Sequence, residues 1–153
     1  MAGLLTAPNM GIYNASKHAV VALTETLYQD LRLVSDQVSA SVLCPYFVPT
    51  GITQSERNRP AALAAAAPTK SQLIGQAMSE KAVSSGKVTA AEVAQAVFDA
   101  VAADRFYIYS HPQALGNVRD RMQAIVEQHN PPDPFAARPD IGQRLRAALR
   151  AAG

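Results

Sequence analysis

From Asn14 onward, apolar residues recur at intervals of three or four: Val20, Leu23, Leu27, Leu31 and Val34. That spacing lines one face of an α-helix, so the pattern predicts a helix over 14–35 with that face buried. Residues 1–12, by contrast, contain Gly and Pro and are only weakly patterned. The run VSASVLCPYF at 38–47 has β-branched Val38 and Val42 and then Pro45, which cannot donate to a sheet ladder. A short buried strand is predicted at 38–44. A second strand is predicted at 105–110, where Phe106, Tyr107, Ile108 and Tyr109 form an aromatic and β-branched run closed by His111 and Pro112.

Between and after these strands the chain reads as helical. Thr89 followed by Glu92 is a capping-box signature, and Val93, Val97, Ala100 and Val101 give the apolar face of a helix at 90–103. Residues 48–60 open a loop, an alanine-rich stretch occupies 61–67, and Pro68-Thr69 starts a helix running to about Met78. This region reads as a mobile lid or as a surface excursion. The alanine-rich stretch is either a low-complexity helix or a cover for an apolar substrate. A further helix is predicted over 112–128 and is broken by HNPPDPF, and Ile141, Leu145 and Leu149 mark a short terminal helix. Helices alternating with short apolar strands give an α/β fold with parallel strands. Two parallel strands alone make a poor sheet, so an incomplete single domain over 1–153 is expected.

Composition narrows the classes. The chain has 153 residues, which by the usual size of roughly 100 to 200 residues per domain allows one domain. With 48% hydrophobic and 17% charged residues it has enough apolar surface to fold. No apolar run approaches the roughly 20 residues needed to cross a bilayer and no signal peptide is recognisable, so a cytoplasmic location without membrane association is expected. Cys44 is the single cysteine and reads as an inert buried thiol. With His18, His111 and His129 scattered along the chain, no metal site is expected. A net charge of +2 is too mild for a nucleic-acid binder, and Arg138, Arg144, Arg146 and Arg150 read as a solvated helix face. Asn14-Ala15-Ser16 fits a glycosylation sequon but has no secretory context.

The sharpest chemical feature is Tyr13-Asn14-Ala15-Ser16-Lys17 at the start of the first predicted helix. Four residues apart, Tyr13 and Lys17 share a helix face. A phenol with a pKa of about 10 is a poor proton donor or acceptor at neutral pH, and an ammonium one turn away stabilises its phenolate. The pair can therefore act as a general acid/base, or it can be an ordinary solvated helix pair.

The segment GIYNASKHAVVALTETLYQDL, followed by VSASVLCPYFVPTGI, resembles the second half of a short-chain dehydrogenase/reductase. That family has YxASK at the start of a long helix, an acidic residue further along it, and a strand ending in a Pro-Gly-x-V-x-T turn. The match is collinear over 2–52 and looser over 90–110. The resemblance implies part of a Rossmann-like, doubly wound parallel sheet, with 53–88 as substrate loop and 112–153 as a helical tail. It implies an NAD- or NADP-dependent oxidoreductase that interconverts an alcohol and a carbonyl compound, a small or aliphatic one by the alanine-rich loop. Tyr13 would be the catalytic acid/base and Lys17 would hold the nicotinamide ribose. Pro45, Val48 and Thr50 would line the nicotinamide end of the cofactor site. Where the family has glycine after that proline, Tyr46 stands here.

The resemblance also implies what the chain does not carry. The family's catalytic serine would fall just before Met1, and Thr6 has the wrong spacing to replace it. None of the eight glycines forms a dinucleotide-binding turn. The isolated chain is therefore expected to show negligible turnover. An alternative role is a non-enzymatic dimerisation or docking module that uses the helix at 14–35, the element through which the resemblance also implies a homo-oligomer.

Overall fold

The computed structural model describes residues 1–63 and 67–152. The centre of the alanine-rich stretch, 64–66, lies outside the described residues, so neither reading of that stretch is decided. The chain divides into two compact units, Met1–Tyr46 with Val88–Pro132, and Phe47–Lys87 with Asp133–Gly153.

The first unit holds helix α1, Gly11–Val34, and strand β1, Val42–Cys44. It also holds helix α3, Ala90–Ala102, strand β2, Tyr107–Tyr109, and helix α4, Leu115–Val126. The strands pair in parallel with Val42 opposite Tyr107 and Cys44 opposite Tyr109, as an α/β crossover through a helix requires. Both are shorter than 38–44 and 105–110. Ladder bonding begins only where the Val42 amide donates to the Phe106 carbonyl at 2.8 Å. Val38 lies outside the strand and is 54% exposed.

The end of α3 explains where β2 starts. Thr89 and Glu92 form the expected capping box, with Thr89 Oγ1 accepting from the Glu92 amide at 3.2 Å. At the other end Asp104 turns left-handed at φ 48°. The Arg105 amide then reaches the Ala100 carbonyl and the Asp104 amide the Val101 carbonyl. These two hydrogen bonds close the helix and release the chain directly into β2. Val93 and Ala100 are buried, as the helix pattern predicts, whereas Val101 is exposed.

The buried face of α1 is a correction to the sequence pattern. Of the predicted stripe Leu31 is half-buried, but Val20, Leu23, Leu27 and Val34 are exposed, Leu23 by 70% and Val34 by 80%. The inward face instead carries buried Asn14 and Val21 together with half-buried His18, Glu25 and Tyr28. These positions also have helical spacing, but three of the five are polar, so hydropathy pointed to the wrong stripe. The core beneath is formed by Met1, Leu4, Val21, Val42 and Cys44, with Leu5, Phe106, Tyr109 and Leu115 packed against it. Tyr28 meets the Phe106 ring edge-on at 5.0 Å between centroids.

The second unit contains a 3-10 segment, Gly51–Asn58, helix α2, Lys70–Ser84, and helix α5, Pro139–Ala152. Helix α2 starts where expected because Thr69 caps it, its hydroxyl accepting from the Gln72 amide and the Gln72 side chain accepting from the Thr69 amide at 2.8 Å, and it runs past Met78 to Ser84. Helix α5 buries Leu145 and half-buries Ile141 and Leu149, the predicted stripe. No helix of the described residues is long and apolar enough to cross a membrane.

Candidate functional site

Tyr13 sits in the first turn of α1, and Lys17 one turn on places its Nζ 5.3 Å from the Tyr13 ring centroid. The start of the helix is pinned from both sides. Ser16 Oγ donates to the Tyr13 carbonyl at 2.8 Å, and Asn14 Nδ2 donates to the Ala7 carbonyl at 3.0 Å. The first turn has neither an acidic residue nor a capping side chain. The positive end of the helix dipole at Tyr13 is thus not offset by a carboxylate. Tyr13 is 39% exposed.

The segment before α1 joins this turn to the end of β1. Gly3 lies so close to α1 that a Cβ there would stand 2.7 Å from the Lys17 carbonyl oxygen and 2.6 Å from Val21 Cγ2. Two residues away, the Met1 amine donates to the Pro45 carbonyl just past β1. The α1 backbone at Lys17 and the Pro45 carbonyl just past β1 are therefore both held by the same leading segment.

The turn after β1 has its own fastening. The Tyr46 amide donates to Ser110 Oγ at 2.9 Å, and Ser110 Oγ lies 2.8 Å from His111 Nδ1. The Tyr46 and His111 rings pack at 5.6 Å between centroids. Neither Ser110 nor His111 stood out in the sequence as more than the end of a strand.

Val48 and Thr50 belong to the second unit. Val48 is half-buried, and Thr50 Oγ1 accepts from the Ile52 amide at 3.4 Å as the N-cap of the 3-10 segment. Thr50 and Thr53 open onto a cleft of about 370 Å³ with Pro49 and with Glu80, Val83 and Ser84 of α2. The larger cleft of the first unit, about 520 Å³, lies at the other end of the sheet beside Ser39, Ser41 and Asp104. It touches none of the residues singled out for chemistry.

Other titratable groups play a structural part. Cys44 is 3% exposed, and burial pushes its thiol above the usual cysteine range. Tyr107 Oη donates to Glu25 Oε1 at 2.5 Å, a bond that pushes its pKa up to about 12, with burial adding to it. No group of three or more His, Cys, Asp or Glu side chains among the described residues could hold a metal ion.

A parallel strand pair packed against a helix that opens with Tyr-x-x-x-Lys defines part of a Rossmann-like α/β fold. The family model for short chain dehydrogenase matches residues 1–61. A "CLA biosynthesis dehydrogenase/reductase" of Lactiplantibacillus plantarum is 34% identical over 137 residues, 86% of this chain and 47% of the relative. A "1-deoxy-11-beta-hydroxypentalenate dehydrogenase" of Streptomyces exfoliatus is 29% identical over 88% of this chain and 41% of its own length. Among solved structures, a short chain dehydrogenase/reductase from Burkholderia phymatum in complex with NAD is 56% identical, with a TM-score of 0.85. That match covers 88% of this chain and 48% of the other. The chain belongs to the short-chain dehydrogenase/reductase family. It spans about half the length of the relatives it matches.

Proposed function

We propose that this chain supplies the acid/base half of an oxidoreductase that interconverts an alcohol and a carbonyl compound, with Tyr13 as the proton donor and acceptor. The observation that carries the reading is the Tyr13–Lys17 pair, an ammonium 5.3 Å from the phenol ring on an exposed first turn of α1. In the reducing direction the Tyr13 hydroxyl gives its proton to the substrate oxygen, and in the oxidising direction its oxygen takes that proton back. Lys17 and the unopposed amino end of α1 stabilise the negative charge that develops on the phenol oxygen.

A nicotinamide dinucleotide, NAD or NADP, supplies the hydride chemistry when bound. The residues present fit such a group. Lys17 offers donors for ribose hydroxyls, and Pro45 is fastened just past β1 in the same unit; Val48 and Thr50, of the second unit, are assigned to the nicotinamide end by the family resemblance. The NAD complex of the Burkholderia phymatum relative supports the cofactor class. The dehydrogenase names of the other relatives support the reaction class. A small or aliphatic carbonyl compound is the substrate class we assign, with 53–88 as the substrate loop.

The test is NAD(P)H oxidation with short aliphatic aldehydes and ketones. It is run on the 153-residue chain and on a chimera in which these residues replace the matching segment of the Burkholderia phymatum relative. The chain carries no glycine-rich dinucleotide turn, so turnover is expected in the chimera and not in the chain alone. Tyr13→Phe should lower the chimera's rate by about 10²- to 10⁴-fold. A rate that Tyr13→Phe leaves unchanged removes Tyr13 from the role.

A second reading has its own observation. The uncovered stripe Val20, Leu23 and Leu27 supports homo-oligomerisation through the helix at 14–35, and on its own it would suit a non-enzymatic docking module.

A further inference from the structure

The position that follows Pro45 is filled by a bulky side chain, Tyr46, on the segment assigned above to the nicotinamide end of the site. Glycine is used where backbone must approach a ligand closely, because any side chain there crowds it. Tyr46 is 38% exposed, and both its backbone and its ring are engaged by one short stretch immediately past β2. Its amide donates to Ser110 Oγ at 2.9 Å. Its ring packs against His111 at 5.6 Å between centroids, with a tilt of 57°. Ser110 Oγ is in turn 2.8 Å from His111 Nδ1, so the two gripping groups are bonded to each other.

The hydrogen-bond roles are complementary. Ser110 Oγ accepts from the Tyr46 amide and, on its other side, shares a hydrogen bond with His111 Nδ1. The imidazole is then oriented to flank the phenol ring. Because β2 lies beside β1, the Tyr46 ring is drawn toward the neighbouring strand's end.

We propose that Ser110 and His111 are positioning residues for the cofactor site: together they hold the Tyr46 amide and ring against the end of β2, so that the turn after Pro45 stays open to a nicotinamide although it carries a tyrosine. The inference rests on the reading of Pro45 as part of that site. It assigns no chemistry to Ser110 or His111 themselves. Their effect on binding passes through Tyr46, and that dependence is what an experiment can isolate.

Two readouts test it: amide hydrogen exchange at Tyr46 in the 153-residue chain, followed by NMR, and NADH binding by the Burkholderia phymatum chimera, which supplies the dinucleotide-binding half, followed by nucleotide fluorescence. Ser110→Ala should speed exchange of the Tyr46 amide and weaken NADH binding, each by roughly tenfold, the effect of one lost hydrogen bond. Ser110→Thr, which keeps the hydroxyl, should restore both. In a Tyr46→Gly background, which keeps the amide but not the ring, His111→Ala should no longer change NADH affinity and Ser110→Ala should cost less than it does beside tyrosine, since there is no side chain to hold aside. Equal losses with tyrosine and with glycine at position 46 would overturn the proposal, because the pair would then be supporting the fold in general. Unchanged exchange in Ser110→Ala would also overturn it. If exchange responds as expected but no variant binds NADH, the cofactor reading fails and takes the positioning role with it.

Discussion

Tyr107 of β2 donates its hydroxyl to the Glu25 carboxylate of α1 at 2.5 Å, a bond that spans 82 residues of sequence and ties the sheet to the helix that carries Tyr13 and Lys17. Glu25 lies on the same face of α1 as Val21 and Tyr28, so the inward face of this helix is held by a charged hydrogen bond as well as by packing. The parallel Tyr107 and Tyr109 rings, 6.2 Å apart, extend the contact along β2.

The bond gives stability a defined pH dependence at the alkaline end. The Tyr107 pKa is raised to about 12 in the fold, from an unfolded value of 10.0. A group whose folded pKa is raised contributes stability that is complete below the unfolded pKa and is lost as pH rises through the folded one. The chain should therefore lose stability between pH 10 and about 12 more steeply than Tyr107→Phe. At neutral pH, Tyr107→Phe should cost about 1 kcal/mol, since the pair is partly exposed and screened by solvent. Urea unfolding followed by circular dichroism across the alkaline range measures both. Parallel pH profiles for the two proteins would remove the bond from the account.

Gly3 sets how closely the leading segment approaches Lys17. An added Cβ would lie 2.6 Å from Val21 Cγ2 and 2.7 Å from the Lys17 carbonyl, and the carbonyl belongs to the helix backbone and cannot rotate away. Gly3→Ala should destabilise the chain by about 1 to 3 kcal/mol through overpacking. Gly11→Ala, which has open space around it, serves as the control and should be near neutral. Thermal unfolding of the two variants separates a local clash from a general effect of losing glycine.

What the sequence revealed and concealed follows from this same helix. Tyr13 and Lys17 are four residues apart, and helical geometry puts them on one face, so the pair is legible from spacing alone. The Thr89–Glu92 box and the stripe Ile141, Leu145 and Leu149 are legible because they too depend only on local spacing. The buried face of α1 is not, because its inward positions include Asn14, His18 and Glu25, whose partners lie in other segments or in the backbone. Tyr46, Ser110 and His111 are hidden for the same reason: the residues come together through strand pairing across 64 residues of sequence. The strands themselves are placed correctly by the sequence pattern but made too long, since β propensity does not report where a ladder ends.

The cap of α3 offers a test at the acidic end. Bonds from the Thr89 amide and hydroxyl hold the Glu92 carboxyl below the usual carboxylate range. A depressed folded pKa contributes stability that is present above the unfolded value and is lost as pH falls through the folded one. Thr89→Ala should cost about 1 kcal/mol near neutrality, the usual effect of losing an N-cap. The gap between Thr89→Ala and the unaltered chain should narrow as pH drops below the carboxylate range. A gap that stays constant with pH would mean that Glu92 does not titrate with the cap.

The outward stripe of α1 makes the last prediction. Val20 and Leu27 are each 50% exposed and Leu23 is 70% exposed, and all three lie on one side of a 24-residue helix. Helical spacing makes them contiguous, and a contiguous apolar patch on a surface helix marks an association site more often than a solvated face. Two copies can pair such stripes about a two-fold axis, each burying the other's leucines. Sedimentation equilibrium should thus find the chain self-associated at micromolar concentration, and Leu23→Glu with Leu27→Glu should render it monomeric. Because both positions are exposed in the single chain, the double variant should keep its helical circular dichroism and change stability by no more than about 0.5 kcal/mol per site at concentrations where the unaltered chain is also monomeric. A chain that stays monomeric at the highest attainable concentration would show that the stripe is not a self-association surface.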